Sequence, residues 1–499
     1  MRAPRRPVRT PHVVVVLSAL VVALPAQGRS KELDRARDLL EQRGEQQVQE
    51  GTAVCVKAND VPAVELLLET LATKERRSRL HLSPGHYRDI VWDGLLKITD
   101  VYARRRVELE LRTGRDPDVR SWCAELLGIY GDAGYGETLR KALSAKDEDV
   151  VRQAARSLGM LRDAAAAPQL AALSKHADDY VRGNAIEALA RCDGAQLATF
   201  RAAIVQDKSG GVRCALLGAA PDLVGDDLEA VCTAALRDPD WRPRMQAVKN
   251  LGRLRSKTAV DALITALRDG RPVVAVRAQR ELQELTGQPI TQIEVWEKWW
   301  ADHRAAFAFP EGRGVAKRDV GTVVYNGVPV DSDHVAFLLD KSVQMQARLQ
   351  SKGTSKDEAA LAELAQVLGK LDDKIACNVF AYDTEVRAFE KKAVKLTAAS
   401  RKRALAFATE KPVGKEKDIW QALVAVVADP TLDTAYLLSS GEPDTGRYVH
   451  WNRVTRHLAD LNRFHQVTVH AVAYTDNEWF RDQIQKIAEV TGGHFEWFR

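Results

Sequence analysis

The sequence predicts two structural classes in one chain: an α-helical repeat solenoid, followed by a doubly wound, mainly parallel α/β domain. The solenoid is predicted because an apolar residue followed by arginine recurs about every 30 to 33 residues between residues 115 and 285. The α/β domain is predicted because strand and helix patterns alternate after residue 334. One of those strands ends in an aspartate with a serine two residues later, at the sheet edge where ligands bind in such folds.

Length and composition are those of a multidomain globular protein. At 499 residues the chain is too long for one compact core. Its apolar content of 45% and charged content of 28% are ordinary and show no bias towards disorder or collagen-like repeats. We therefore expect several folded domains.

Residues 1–28 are predicted to be a secretory signal peptide. Four arginines precede the apolar run Val13 to Leu24, and small residues follow at Ala26 to Gly28. The run is shorter than the roughly 20 residues that a membrane-spanning helix needs. We expect export to the periplasm, the cell surface or the medium, with no membrane span after cleavage; an uncleaved anchor is the alternative.

The charge and the cysteines exclude several kinds of partner. Removing the four leader arginines, with no acidic residue among residues 1–28, lowers the formal net charge from +5 to +1. A nearly neutral chain favours neither nucleic acid nor a polybasic membrane contact. The six cysteines are scattered without a Cys-x-x-Cys pair, which favours buried free thiols over disulfides or a metal site.

Residues 29–113 are predicted to be helical, and residues 114–303 to form the repeats and a capping helix. Aspartates precede most anchor pairs, where a carboxylate can cap a helix, and a second apolar stripe follows each anchor helix. The anchor arginines are Arg120, Arg152, Arg182, Arg213, Arg244 and Arg277.

Two helices in each copy of about 31 residues resemble HEAT-like repeats of the short bacterial type, also called PBS-lyase HEAT-like repeats. The resemblance implies stacked helical pairs with a continuous core and an extended groove. We expect the anchor arginines to pair with aspartates of adjacent copies rather than to contact a ligand. Proteins with such repeats include pigment lyases, but no residue here matches a chromophore site.

The repeats are followed by a tryptophan-rich helix and a linker. Trp296, Trp299 and Trp300 have helical spacing and are expected to cap the last repeat, although a sugar platform or a partner contact is the alternative. Residues 304–333 are predicted to be a linker and a β-hairpin, because Asn326-Gly327 lies between valine-rich arms.

The segment His334 to Met345 resembles the strand and metal-binding loop of a von Willebrand factor A domain, with its Asp-x-Ser-x-Ser pattern. Asp418 to Leu423, Tyr436 to Pro443 and Gly492 to Phe495 resemble further segments of that family. The similarity covers residues 334–499 and implies an oxygen-rich site for a divalent cation at the rim of the sheet.

Only part of that ligand set is present. The resemblance places Asp340 and Ser342 at two ligand positions. At the other three it places Gln344 for a serine, Lys417 for a threonine and Ser440 for an aspartate. One carboxylate therefore remains, and an ammonium about 4 Å from it would contribute roughly 4 kcal/mol of attraction. We predict a degenerate rim with no tightly bound metal and no cofactor.

Two alternatives keep a different function open. Asp418, Glu442 or Asp444 could restore coordination of Mg²⁺ or Mn²⁺, giving adhesion-type binding at the Asp340 rim. A repeat-type lyase is the other alternative. Because the sequence lacks a zinc helix, a nucleophile elbow and a phosphate-binding glycine loop, we expect an exported, non-enzymatic interaction or scaffold protein with a protein partner.

Overall fold

The computed structural model describes residues 31–42, 44–72, 84–195, 205–223, 228–314, 323–410 and 414–499. The predicted signal peptide lies outside these residues. Within them, no helix combines the length and the apolar character that crossing a membrane requires.

The described part of the chain begins with helices that precede the repeats. Asp60 and Asp100 accept hydrogen bonds from the amides of Ala63 and Ala103, and so cap two of these helices. The helices are α1 (Lys31–Leu40), α2 (Glu45–Ala58), α3 (Val61–Leu71), α4 (Pro84–Leu96) and α5 (Val101–Thr113).

Paired helices follow, as the repeat pattern predicts. They are α6 (Pro117–Tyr130), α7 (Gly136–Ala142), α8 (Glu148–Leu161), α9 (Ala167–Leu173), α10 (Asp179–Cys192), α11 (Gly210–Leu223), α12 (Leu228–Ala235), α13 (Trp241–Leu251), α14 (Lys257–Ala266), α15 (Pro272–Thr286) and α16 (Ile293–His303). The anchor-bearing helices α6, α8, α10, α11, α13 and α15 pack side by side and form one layer, which we call the inner layer.

Three anchor arginines pair with an aspartate of the next repeat, as expected. Arg182 contacts Asp207, Arg213 contacts Asp238 and Arg244 contacts Asp269, each through two guanidinium nitrogens at 2.6–3.0 Å. The other anchors have different contacts: Arg120 donates to the Leu111 carbonyl, Arg152 pairs with Asp149, and Arg277 pairs with Glu281.

The tryptophan-rich helix α16 closes the stack. Trp296 and Trp300 are buried in the core of the last repeats, and the Trp300 indole donates to Asp261 at 2.6 Å. Trp299 is partly buried and packs against Phe307. The tryptophans of α16 therefore pack against the last helical pairs rather than forming an open aromatic platform.

The C-terminal region is an α/β domain. Its strands are β1 (Val324–Tyr325), β2 (Val328–Pro329), β3 (His334–Asp340), β4 (Arg348–Leu349), β5 (Thr354–Ser355), β6 (Ala376–Tyr382), β7 (Val386–Ala388), β8 (Val394–Lys395), β9 (Thr434–Ser439), β10 (Thr468–Tyr474) and β11 (Phe495–Phe498). Its helices are α17 (Lys356–Lys370), α18 (Ala398–Ala408), α19 (Ile419–Val427), α20 (Trp451–Asn462) and α21 (Glu478–Thr491).

The main sheet has the strand order β11-β10-β9-β3-β6-β7, with β8 also paired to β6. All pairs are parallel except those of β7 and β8 with β6. Crossover helices cover both faces with separate apolar cores. The predicted fold class is therefore confirmed, while helix α18 and the β4–β5 hairpin had not been predicted.

The hairpin before the sheet has the predicted turn. Asn326 and Gly327 both have positive φ values, 49° and 78°, which the tight two-residue turn requires. The hairpin lies on the sheet, with the Tyr325 ring 4.9 Å from Phe337.

Candidate functional site

The candidate site lies at the carboxyl ends of two neighbouring strands. Asp340 is the last residue of β3, and Ser440 follows the last residue of β9. Because β3 and β9 are adjacent and parallel, these residues meet at one edge of the sheet. The loop before α19 brings Lys417 to the same place.

The Lys417 ammonium lies at the centre of this rim. Its Nζ donates to Asp340 Oδ2 at 3.2 Å, to Gln344 Oε1 at 2.7 Å and to Ser440 Oγ at 2.8 Å. Lys417, Asp340 and Ser342 are fully buried. The structure therefore brings all five sequence-predicted rim residues together: Lys417 Nζ contacts Asp340, Gln344 and Ser440, and Ser342 contacts Asp340.

Asp340 is bonded through both carboxylate oxygens. Its Oδ1 accepts from the Ser342 amide at 2.9 Å, and its Oδ2 accepts from the Ser440 amide at 3.0 Å and hydroxyl at 2.6 Å. Burial alone would raise the pKa of Asp340, but the Lys417 ammonium and the hydrogen bonds from Ser342 and Ser440 hold that pKa below its ordinary value. The rim thus holds a charged carboxylate beside a basic side chain.

A divalent cation does not fit this arrangement. It would need oxygen ligands around a shared centre. Lys417 Nζ already donates hydrogen bonds to three of the oxygens there. Displacing the ammonium would leave a cation facing one carboxylate, with a second positive charge close by. The chemistry of these residues suits an internal ion pair.

The neighbouring carboxylates are held in other roles. Asp418 caps α19 by accepting from the Gln421 amide at 2.8 Å, and Asp444 accepts from the Lys417 amide at 3.2 Å. Burial raises the pKa of Asp418 to about 6 and also raises the pKa values of Glu442 and Asp444. Burial therefore makes ionisation of these three carboxyl groups less favourable than it is in water.

A second acidic cluster lies at the opposite ends of the strands. Asp333, His334 and Asp433 place ligand atoms within 4.8 Å of one another. Arg271 of the solenoid reaches this cluster, with Nε donating to Asp433 Oδ2 at 2.7 Å and Nη1 lying 3.1 Å from His334 Nε2. A guanidinium therefore already pairs with Asp433 in this cluster, which sequence reasoning had not identified.

The inner layer of the solenoid and the preceding helix α4 contact the C-terminal domain. The contacting carboxylates, which we call the carboxylate row, are Asp89, Glu125, Asp149 and Glu187. They face an arginine row in and around α20, formed by Arg447, Arg453, Arg456 and Arg463. The ion pairs are Arg453–Asp89 at 3.4 Å, Arg456–Glu125 at 3.1 Å, Arg447–Asp149 at 3.4 Å and Arg463–Glu187.

Asp89 of α4 binds the segment that connects the Asp340 rim to α20. Its Oδ2 accepts from the amides of Val449 and His450 at 2.8 and 2.9 Å. These amides belong to the segment that runs from Ser440 to α20. Because Asp89 is 1% exposed, the contact is buried. The face of the repeats that was expected to offer an open groove is thus covered, in this region, by the chain's own C-terminal domain.

Comparison with known families agrees with the helical pairs. Residues 107–190 and 197–283 match the family model of HEAT repeats. A comparison with the curated proteins found no significant match.

Several solved structures are similar to parts of this chain. A von Willebrand factor type A structure from Catenulispora acidiphila is 18% identical, over 34% of this chain and 40% of that one, with a TM-score of 0.26. The present chain thus covers less than half of that structure's length. Human deoxyhypusine hydroxylase is 17% identical over 50% of this chain and 92% of that one, with a TM-score of 0.25.

A complex of CpcE and CpcF of phycocyanin lyase from Nostoc sp. PCC7120 is 19% identical over 56% of this chain and 97% of that one, with a TM-score of 0.26. Residues 107–190 and 197–283 of the present chain thus match HEAT repeats, and the region after them has a mainly parallel sheet.

Proposed function

We propose that this chain is an exported, non-enzymatic interaction or scaffold protein whose von Willebrand factor A-like domain works without a bound metal. The observation that carries the proposal is the position of Lys417 Nζ, 3.2 Å from Asp340 and fully buried at the rim. A fixed ammonium supplies the positive charge that a cation supplies elsewhere in the family. Recognition then depends on shape and on surface side chains.

The arrangement of the two halves supports a scaffold role. The solenoid and the preceding helix α4 hold the C-terminal domain through ion pairs from helices α4, α6, α8 and α10 and from Arg271 before α15. Such an arrangement fixes the direction in which the rim faces. A protein partner would therefore meet one preformed surface, with little ordering of the chain on binding.

Calorimetric titration of the full chain with Mg²⁺ and Mn²⁺ tests this proposal. We expect no stoichiometric binding by the wild-type protein. The triple variant Gln344→Ser, Lys417→Thr, Ser440→Asp restores the family's ligand types and should bind one cation. Lys352→Thr, which removes a surface lysine paired with Glu363 at 2.7 Å, is the matched control and should not bind.

Other outcomes would favour the alternatives. Stoichiometric binding by the wild-type protein that is lost in Asp340→Ala would support metal-dependent, adhesion-type recognition at the Asp340 rim. Turnover of a pigment adduct by the purified chain would support a repeat-type lyase. Either result would contradict the proposed function.

A further inference from the structure

A cleft of about 330 Å³ lies between the solenoid and the C-terminal domain. Four arginines line it, two from each half of the molecule: Arg152 and Arg156 from α8, and Arg447 and Arg463 from either side of α20. The cleft is separate from the Asp340 rim, and no step of the proposed function uses it.

Positive charge exceeds negative charge in the lining. The lining carboxylates are Asp149 and Asp460, against four guanidinium groups. Asp149 is shared, since it lies 3.0 Å from Arg152 and 3.4 Å from Arg447. Arg447 also lies 3.6 Å from Asp118, a carboxylate outside the lining. Asp460 pairs with Arg156. Arg463 uses Glu187, a carboxylate outside the lining.

Neighbouring groups respond to this excess of positive charge. Burial and the surrounding arginines, Arg453 first among them, hold the pKa of the lining residue His457 well below its ordinary value, so the imidazole is neutral. Burial and then Arg463 lower the pKa of Arg156 to about 10. Around His457 and Arg156 the neighbouring guanidinium groups therefore oppose additional positive charge, which favours an anion there. Burial alone would lower the pKa of Arg447, but Tyr448, Asp149 and Asp118 outweigh it and raise that pKa, which keeps this lining arginine charged.

Three polar atoms of the lining are buried without a hydrogen-bond partner among the described residues: Arg447 Nε, a donor, Gln153 Oε1, an acceptor, and His457 Nε2, which lies 3.9 Å from Glu125. Buried polar groups of this kind are normally satisfied. The oxyanion of a ligand would accept a hydrogen bond from Arg447 Nε, and a hydroxyl group of the same ligand would donate one to Gln153 Oε1. One wall is flat and aromatic, because the Tyr448 ring stacks on His457 with centroids 4.0 Å apart.

We propose that this cleft binds a small hydroxylated oxyanion, and that the bound anion bridges the solenoid and the C-terminal domain. Guanidinium groups bind phosphate and carboxylate oxygens through paired N–H donors, so both anion types share the required chemistry. Because the ligand contacts both halves, its binding stabilises the assembled molecule.

Thermal unfolding of the full chain tests the proposal, with inorganic phosphate or citrate as the probe and sodium chloride used to keep ionic strength constant. We expect a saturable rise in Tm with at least one of the two anions. A response to phosphate alone would identify phosphate-bearing ligands, and a response to citrate alone would identify hydroxycarboxylates. Arg447→Gln should weaken the apparent affinity about tenfold.

Arg268→Gln is the control, because Arg268 is an exposed arginine paired with Glu297 away from the cleft. If Arg447→Gln does not fold, Arg152→Gln replaces it, since Arg152 pairs with Asp149 inside its own helix. No saturable shift with either anion would overturn the proposal. An equal shift in the wild-type protein and a folded cleft variant would overturn it as well.

Discussion

The pair formed by Lys417 and Asp340 has no contact with water, since both side chains are 0% exposed. Removing two charges from water is unfavourable, and mutual attraction offsets this cost only when both partners and their hydrogen bonds are present. The three bonds of Lys417 and the bonds of Asp340 to Ser342 and Ser440 meet that condition.

We predict that Lys417→Met lowers the free energy of unfolding by about 3–5 kcal/mol, because Asp340 would be left as an unpaired buried charge. Urea unfolding of the full chain measures the change. The surface variant Lys352→Met should cost less than about 1 kcal/mol. Adding Asp340→Asn to Lys417→Met should recover part of the loss. An equal loss of unfolding free energy in Lys417→Met and Lys352→Met would show that the buried pair contributes no more than a surface lysine.

The sequence predicted which residues lie at the rim, but not the hydrogen bonds between them. Asp340, Ser342, Gln344, Lys417 and Ser440 could be named because their segments resemble family segments that meet at one sheet edge. The sequence could not show where the Lys417 nitrogen would lie, because a flexible four-carbon side chain has many rotamers. It also gave no sign that Arg271 reaches Asp433.

Among the helices, the anchor arginines follow a simple rule of spacing. Arg182, Arg213 and Arg244 each have an aspartate 25 residues later, and each pairs with it. The same offset from Arg120 and Arg152 reaches Ala145 and Ala177, which have no carboxylate. From Arg277 it reaches Asp302, inside the capping helix α16 rather than in a repeat turn. The periodic pattern thus predicted an ion pair in those repeats where both the arginine and the aspartate 25 residues later are present.

We predict that Arg213→Gln lowers the free energy of unfolding by about 1–3 kcal/mol, because it leaves Asp238 and the Asp207 carbonyl without their donor. Chemical unfolding followed by circular dichroism would measure this change. Arg268→Gln, at an exposed pair, should change it by less than about 1 kcal/mol. A negligible loss in Arg213→Gln would mean that these bonds do not hold the repeats together.

For the whole molecule, the main consequence of the structure is that the repeats hold the C-terminal domain. Repeat periodicity and strand patterns predicted each half from the sequence, because both depend on local spacing. The docking of the halves joins residues far apart in the chain, such as Asp89 and Arg453, and has no periodic signature.

We predict that Asp89→Leu loosens this docking, because it removes the acceptor for Val449 and His450 and leaves Arg453 buried without its carboxylate. Losing one partner of such a buried pair costs about 2–5 kcal/mol. Hydrogen exchange should become faster across α20, and the radius of gyration from X-ray scattering should increase. Glu137→Gln, at an exposed pair with Lys141 inside helix α7, should leave both unchanged. Unchanged exchange in Asp89→Leu would contradict this docking.

Acid should also weaken the docking. Burial and the nearby Arg242 lower the pKa of His465 to about 4, and its ring contacts Tyr180 of the solenoid. A histidine with a lowered pKa binds fewer protons in the docked state. Its contribution is therefore complete above about pH 6.5, declines as pH falls, and reaches its minimum below pH 4.

Between pH 7 and pH 5 we predict a loss of about 2 kcal/mol from His465. Unfolding measured at both pH values should show a smaller difference for His465→Gln than for the wild-type protein. His303→Gln, at an exposed position on α16, is the control. The prediction is wrong if the wild-type and His465→Gln proteins lose the same stability on acidification.

The most direct test of the central claim is a crystal of the full chain grown with Mn²⁺ and measured for anomalous scattering. We predict no anomalous peak at the rim, with Lys417 Nζ within hydrogen-bond distance of Asp340, Gln344 and Ser440. A six-coordinate manganese ion beside Asp340, with the Lys417 side chain turned away, would contradict the claim.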